Sequence, residues 1–341
     1  MRYKTTGHLV AAAFCFVAVS AQAAGTLLVV SKQTHALAFV DGQTLKVTAH
    51  VPVGENPHEV IVGPDNRTGY VSNFEEGTGH TLAVIDLLHA RALKSIDVSP
   101  MVGPHGMALR DGKLWFTADR SKALGVLDLK ARKVVAVLGT GQDRTHMVWI
   151  SPDGTKILAS NAGSGTLSIY DAIMIAPTMA PGAPPPPASY TTPGWKHTLV
   201  PVGAAAEGFV VSPDRKEVWV GANDGSITII DLSADTVATT LQAGTNGANR
   251  LAFTPDGKLV LVTLRANKDL VAIDAATHQV VKRIPIQEHG ASGIQMQPDG
   301  SRVFVACPRD HYVAVVDLHT LEMVAKIDAG REPDGLAWWE H

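Results

Sequence analysis

Apolar and polar residues alternate along this chain in short runs rather than at helical spacing. The clearest unit lies between Thr145 and Asp171. There His146-Met147-Val148-Trp149-Ile150 is an apolar run, Ser151-Pro152-Asp153-Gly154 a turn, Lys156 to Ser160 a second run and Thr166 to Tyr170 a third. Pro presets φ, Asp bonds its own backbone and Gly takes the left-handed position, so Pro-Asp-Gly marks a tight turn. The same punctuation recurs at Pro64-Asp65-Asn66, Asp111-Gly112, Pro213-Asp214, Pro255-Asp256-Gly257 and Pro298-Asp299-Gly300. A fourth run follows, as in Lys133 to Leu138 or Val280 to Ile284. Short β-branched runs between such turns predict strands, and no segment sustains a helical period.

Seven times an apolar run ends in an aspartate, at Asp41, Asp86, Asp128, Asp171, Asp231, Asp274 and Asp317, and five of the six spacings are 42 to 45 residues. A four-strand unit at that period cannot bury both its faces alone and stacks radially on copies of itself. The pattern therefore predicts an all-β fold, a seven-bladed β-propeller of four-stranded antiparallel blades. The chain opens with only three strands of a blade, around Leu27–Val30, Leu37–Val40 and Thr48–Val53. It ends with an orphan, Gly335-Leu336-Ala337-Trp338-Trp339. The last strand is expected to complete the first blade, which removes open sheet edges. Trp338 and Trp339 then read as closure packing, and the seven aspartates as turn caps.

The recurring Gly54-x-x-Pro57-His58, then Pro-Asp, then Gly69-Tyr70-Val71-Ser72-Asn73, then Thr81-Leu82-Ala83-Val84-Ile85-Asp86-Leu87, resembles the bacterial YVTN-family (YncE-like) propeller repeat. The resemblance covers essentially the whole chain after the first two dozen residues. It implies the propeller and leaves the activity open, because such folds host unrelated functions. The departures are a missing Pro in the third blade's turn, a degraded second strand at Leu259–Leu264 and an insertion in the fourth blade. That insertion, 172–197, carries Pro184-Pro185-Pro186-Pro187 and stretches one spacing to 60 residues. It is expected as an exposed polyproline-like loop, a surface excursion or a docking segment for a protein partner.

Composition sets the compartment. Arg2 and Lys4 precede an apolar run from Leu9 to Val19, and Ala21-Gln22-Ala23 offers small-x-small cleavage, so residues 1–23 read as a secretory signal and 24–341 as one propeller domain. The expected location is periplasmic or secreted. No later run is long and apolar enough to span a bilayer. Cys307 is the one cysteine outside the signal, which excludes an intrachain disulfide in the exported chain. Two of the 29 basic residues and none of the 32 acidic ones lie in the signal, leaving a formal charge of −5 that argues against nucleic acid.

Aligning the units on the turn six residues downstream puts His58, His105, His146, Glu207, Asn249, Ser292 and Asp334 at one position, just before or at the start of each innermost strand. These residues should meet at one end of the central channel. His58, His105 and His146 with Glu207 and Asp334 are a donor set suited to a divalent transition metal, zinc or copper. Arg144, Glu207, Asn249, Arg250 and Ser292 could instead hold a small polar ligand, anionic or sugar-like, with Glu59 and His289 nearby. Channel polarity without a ligand is the third reading. His80, Arg120, Arg265 and His311 follow second strands near the same rim, whereas Asn73, Asp119 and Asn161 read as turn formers. Three functions stay open: a binding or scaffold propeller; an enzyme resembling lactone hydrolases or streptogramin lyases, for which Gly103-Pro104-His105-Gly106 is similar to a strand-opening motif; and a subunit docking a redox protein. Nucleophile elbow, phosphate-binding glycine loop and HExxH motif are all missing.

Overall fold

A computed structural model describes residues 25 to 341 except 180, 183 and 185 to 187, so the expected signal and three of the clustered prolines lie outside it. The described residues form seven four-stranded antiparallel sheets around an axis. Blade 1 is closed by the C-terminal strand Pro333–Glu340, which pairs antiparallel with Gly25–Ser31 in the register Thr26 to Trp339 and Leu28 to Ala337. Blades 2 to 7 follow in chain order, and their inner strands are Pro57–Val62, Pro104–Arg110, Thr145–Ile150, Phe209–Val211, Ala248–Phe253 and Ile294–Met296.

Strand periodicity explains the core. Successive side chains point to opposite faces, so each blade feeds two interfaces. Leu27 and Val29 go to a cluster with Phe304 and Val315 of blade 7, whereas Leu28 and Val30 join Val60 and Val71 of blade 2. Seven such clusters occupy the seven interfaces. Leu259–Leu264, degraded against the repeat, still pairs with both neighbours and is buried on both faces.

The marker aspartates cap the turns between third and fourth strands. Asp41 Oδ1 accepts from the Thr44 N–H at 2.7 Å and its hydroxyl at 2.8 Å, and Asp231, Asp274 and Asp317 bond their turns alike. Asp171 differs, taking the Lys156 ammonium at 2.6 Å. The reason corrects the expected loop: the third and fourth strands of blade 4 run on as a ribbon, Thr166–Ile175 against Thr192–Pro201, with Ala172 opposite Trp195 and Met174 opposite Pro193. β-branched Ile173 and Ile175 continue the ladder, and Pro193 is tolerated because this strand is the blade's outer edge.

Ring closure rests on the two terminal tryptophans. Trp339 is buried, meets Phe39 edge-on with ring centroids 6.4 Å apart, and donates Nε1–H to the Asn66 carbonyl of blade 2 at 3.0 Å. Trp338 stacks on Phe304 of blade 7 at 5.8 Å. Replacing Trp339 with alanine should cost about 3–5 kcal/mol; the check is the urea midpoint, and an unchanged midpoint would remove this residue from the closure.

Candidate functional site

The mouth residues owe their placement to a break in the inner-strand ladders. Pairing skips from Pro57 to Val60, from Pro104 to Met107, from Thr145 to Val148 and from Ala248 to Leu251. At each skip a hydroxyl of the second strand does the bonding. Thr117 Oγ1 accepts from Gly106 N–H of its own blade at 2.8 Å and donates to the His146 carbonyl of the next at 2.7 Å. Ser160 links Met147 N–H to the Glu207 carbonyl, and Thr263 links Arg250 N–H to the Ser292 carbonyl. Ser72 takes the Glu59 N–H. Blades 5 and 7 carry Gly221 and Ala306 at this place, their N–H groups bond Gly208 and Gly293 carbonyls directly, and their inner strands begin only at Phe209 and Ile294. Glu207 and Ser292 therefore precede those strands.

The axis is crowded. A Cβ on Gly293 would land on the Asp334 carbonyl, and one on Gly335 on the His58 carbonyl; Gly106 and Gly208 meet His146 and Asn249 in the same way. The equivalent residues in the other repeats are Glu59, Met147 and Arg250. Arg250 Nη2 bonds Glu59 Oε1 at 2.7 Å although blades 6 and 2 stand across the ring. That ion pair bridges the channel just inside the mouth.

On one side of it lie Asp334, His58 and His105. His58 Nδ1 is 3.2 Å from Asp334 Oδ2 and 2.9 Å from His105 Nε2. Lys32, Asp334's other partner, is at 3.4 Å. Burial opposes the charge on Asp334, but Lys32, His58 and Arg250 outweigh it and hold the carboxyl well below the usual range. An ionised Asp334 places the proton on His58 Nδ1, so His105 Nε2 accepts and the His105 proton sits on Nδ1, facing Glu59 Oε1 at 3.9 Å. Burial is the main cause that drops His58 to about 3, aided by Lys32, and drives His105 well below the ordinary value, aided by the neighbouring histidines. Burial raises Glu59 despite Arg250.

On the other side Glu207 accepts from Asn249 Nδ2 at 2.7 Å and from Arg144 and Arg265 at 3.1 Å each. Burial would raise its pKa, but His146 and the arginines bring it to about 2. His146 stacks against His105 with ring centroids 3.8 Å apart, and its Nε2 and Nδ1 lie 3.7 Å from Glu207 and 3.9 Å from Asp119. Asp119 was expected as a turn former and is instead a buried acid, near Arg120 and Arg144 at 3.6 and 3.7 Å, with neither oxygen accepting a hydrogen bond. Asn73 and Asn161, one repeat position earlier where blade 3 has Ala118, do tie loops, to Gly54 N–H and Thr81 and to Thr145, Thr166 and Ser168. Lys32 was missed altogether; it opens the loop after blade 1's first complete strand.

Comparisons place this geometry. The family model described as "YNCE-like beta-propeller" matches residues 191–294. The chain is a seven-bladed β-propeller that is similar to this YncE-like family over those residues. No curated protein matches it. Solved structures similar to this YncE-like propeller include a functionally unknown protein from Desulfotomaculum acetoxidans at 13% identity and TM-score 0.73, covering 92% of this chain and 99% of that one. Two others are provisionally named 6-phosphogluconolactonases, from Bacteroides uniformis and Bacteroides fragilis. Each is 14% identical at TM-score 0.69 and covers 93% of this chain, and 100% and 98% of its own. Likeness at that identity speaks for the fold alone.

The expected metal shell of His58, His105, His146, Glu207 and Asp334 is not assembled in this YncE-like ring. The three imidazoles lie side by side with their planes tilted, but His58 Nδ1 is spent on Asp334 and His105, and Glu207 on Asn249 and two arginines. Among the described residues no group of three or more His, Cys, Asp or Glu is arranged to hold a metal ion. Of the polar-ligand set, Arg144, Glu207, Asn249 and Arg250 converge on the mouth, and Ser292 lies at its edge against Asp334.

Two outcomes follow from the YncE-like mouth. Thr117→Val leaves Gly106 N–H and the His146 carbonyl bare in a buried site, and should cost about 2–6 kcal/mol by urea titration at roughly 1–3 kcal/mol per group; a loss under about 1 kcal/mol, the small end of that scale, would dismiss the hydroxyl bridge. The second concerns acid. The unfolded chain protonates His58 and His105 near the ordinary histidine value of about 6.5, whereas native His58 waits until about 3, so the histidine contribution to stability is present above that ordinary value and is lost as pH falls. Glu59 works in the opposite direction. Urea midpoints should drop between pH 7 and 5, by up to about 1.4 kcal/mol per pH unit per histidine, and should flatten in the His58→Asn/His105→Asn double variant. Equal slopes in both proteins would refute the assignment.

Proposed function

We propose that the protein is an exported binding propeller whose channel mouth holds a small polar molecule with both hydrogen-bond donors and acceptors. One observation carries this reading. His105 Nδ1, His146 Nδ1, both Asp119 oxygens, Asn249 Oδ1 and Arg250 Nη1 are buried around the mouth without hydrogen-bond partners. Buried polar atoms left bare cost about 1–3 kcal/mol each, so such a cluster calls for a guest. The gaps of 3.7 to 3.9 Å between His146, Asp119 and Glu207 are too long for direct bonds and suit an inserted oxygen. A guest has to accept from His105 and Arg250 and donate to Asp119 and Asn249, and a hydroxyl does both.

The compartment follows from Arg2, Lys4, Leu9 to Val19 and Ala21-Gln22-Ala23, which support a periplasmic or secreted product. Among the described residues no helix is long and apolar enough to cross a membrane. A catalytic reading has one specific support, His146 flanked by Asp119 and Glu207, which would steady an imidazole used as acid or base. A melting-temperature screen of polyols, sugars, hydroxy acids and lactones, with turnover followed for every hit, separates the readings. A saturable shift that weakens about tenfold or more in Asp119→Ala supports binding. No shift across the panel, together with ordered water bonded to every one of those atoms in a crystal, would overturn it.

A further inference from the structure

Beside the mouth, between blades 1, 6 and 7, loop residues enclose a hollow of about 240 Å³. Its charge is lopsided: Lys32, Arg265, Arg309 and His289 line it with Ser292, against the single carboxylate of Glu332. Two of the cations are fixed from below. Arg265 is held by buried Glu207 at 3.1 Å and Lys32 by buried Asp334 at 3.4 Å. Glu332 is engaged by Gln33 Nε2 at 2.8 Å. His289 is steered by Asp310, which takes its Nδ1–H at 2.6 Å and the backbone N–H groups of Glu288 and His289, so Nε2 is its free nitrogen. Arg309 has no acidic partner among the described residues.

We infer that this hollow is an oxyanion subsite, taking the carboxylate or phosphate group of the molecule that fills the mouth. A guanidinium fork matches either group with paired N–H donors. Arg265 and Lys32 are immobilised before any ligand arrives, so less ordering entropy opposes binding. Lys32 and Glu332 border a second hollow, of about 740 Å³, that reaches His58, Asn56 and Phe74. One molecule can therefore set its anionic end by Arg309 and its polar body over His58. This last step rests on the small-molecule reading above, whereas the subsite itself does not.

The test titrates the purified protein with sodium phosphate and, separately, sodium acetate, at constant ionic strength set by sodium chloride, following melting temperature and heat of binding. A saturable one-site response to either anion is expected, weakened about fivefold or more in Arg309→Gln, a variant whose melting without anion should match the parent because Arg309 is exposed and unpaired. The arm that responds tells phosphate from carboxylate. No saturation by either anion, or saturation unchanged in Arg309→Gln, overturns the subsite. Saturation by phosphate with no hit among polar molecules leaves the subsite standing and removes the small-molecule reading; hits that bind Arg309→Gln as tightly as the parent do the reverse.

Discussion

Seven inner strands have to share one axis, and the closeness of their backbones is the constraint behind the rest of this ring. Where two inner strands touch, no Cβ fits, hence glycine at 106, 208, 293 and 335. The same closeness breaks the ladder between inner and second strands, and backbone groups freed inside a protein have to find partners. Ser72, Thr117, Ser160 and Thr263 supply them from the second strand, and in blades 5 and 7 the backbone bonds itself. A hydroxyl that accepts from its own blade and donates to the next also sets the relative height of the two. Three such bridges, from Thr117, Ser160 and Thr263, tie blade 3 to 4, 4 to 5 and 6 to 7 at the mouth.

Charge at the mouth follows from the same crowding. With little room for water, an isolated ion would be costly, so each buried acid has a cation in reach: Asp334 with Lys32, Glu59 with Arg250, Glu207 with Arg144 and Arg265. His58 and His105 stay neutral, since burial among these cations opposes a further positive charge. Asp119 is the exception. Its nearest nitrogens stand 3.6 to 3.9 Å away, beyond a hydrogen bond, beside a histidine nitrogen that also lacks a partner. Balance elsewhere makes that incompleteness local and gives it meaning.

The fold was legible because repetition averages out local noise. Seven aspartates fixed a register, and the register brought His58, His105 and His146 together from positions 47 and 41 residues apart. What stayed hidden was whatever crosses the ring without following the repeat. Glu59 and Arg250 are 191 residues apart and meet only because blades 2 and 6 face each other over a narrow channel. Lys32 precedes no repeated motif. The serines and threonines of the second strands were visible as β-formers, yet nothing in one strand says that its hydroxyl will reach two others. The insertion misled through its prolines, while Ile173, Ile175 and Trp195 at its ends were already strand residues. The metal set was chosen by residue type, and among the described residues no group of three or more such donors is arranged to hold an ion.

At His146, Glu207 and Ser292 the backbone carbonyl is held by a hydroxyl of the preceding blade, so the side chain there is not what ties the two blades. His, Glu, Asn, Ser and Asp all occupy that position in this one chain. A position that accepts such different residues without changing the register is free to answer to a ligand. That freedom explains how proteins 13% and 14% identical to this one share its ring from end to end. It also means that the fold cannot name the ligand. On the reading proposed above, the polar atoms left bare around Asp119 and the cations gathered at Arg309 carry that information.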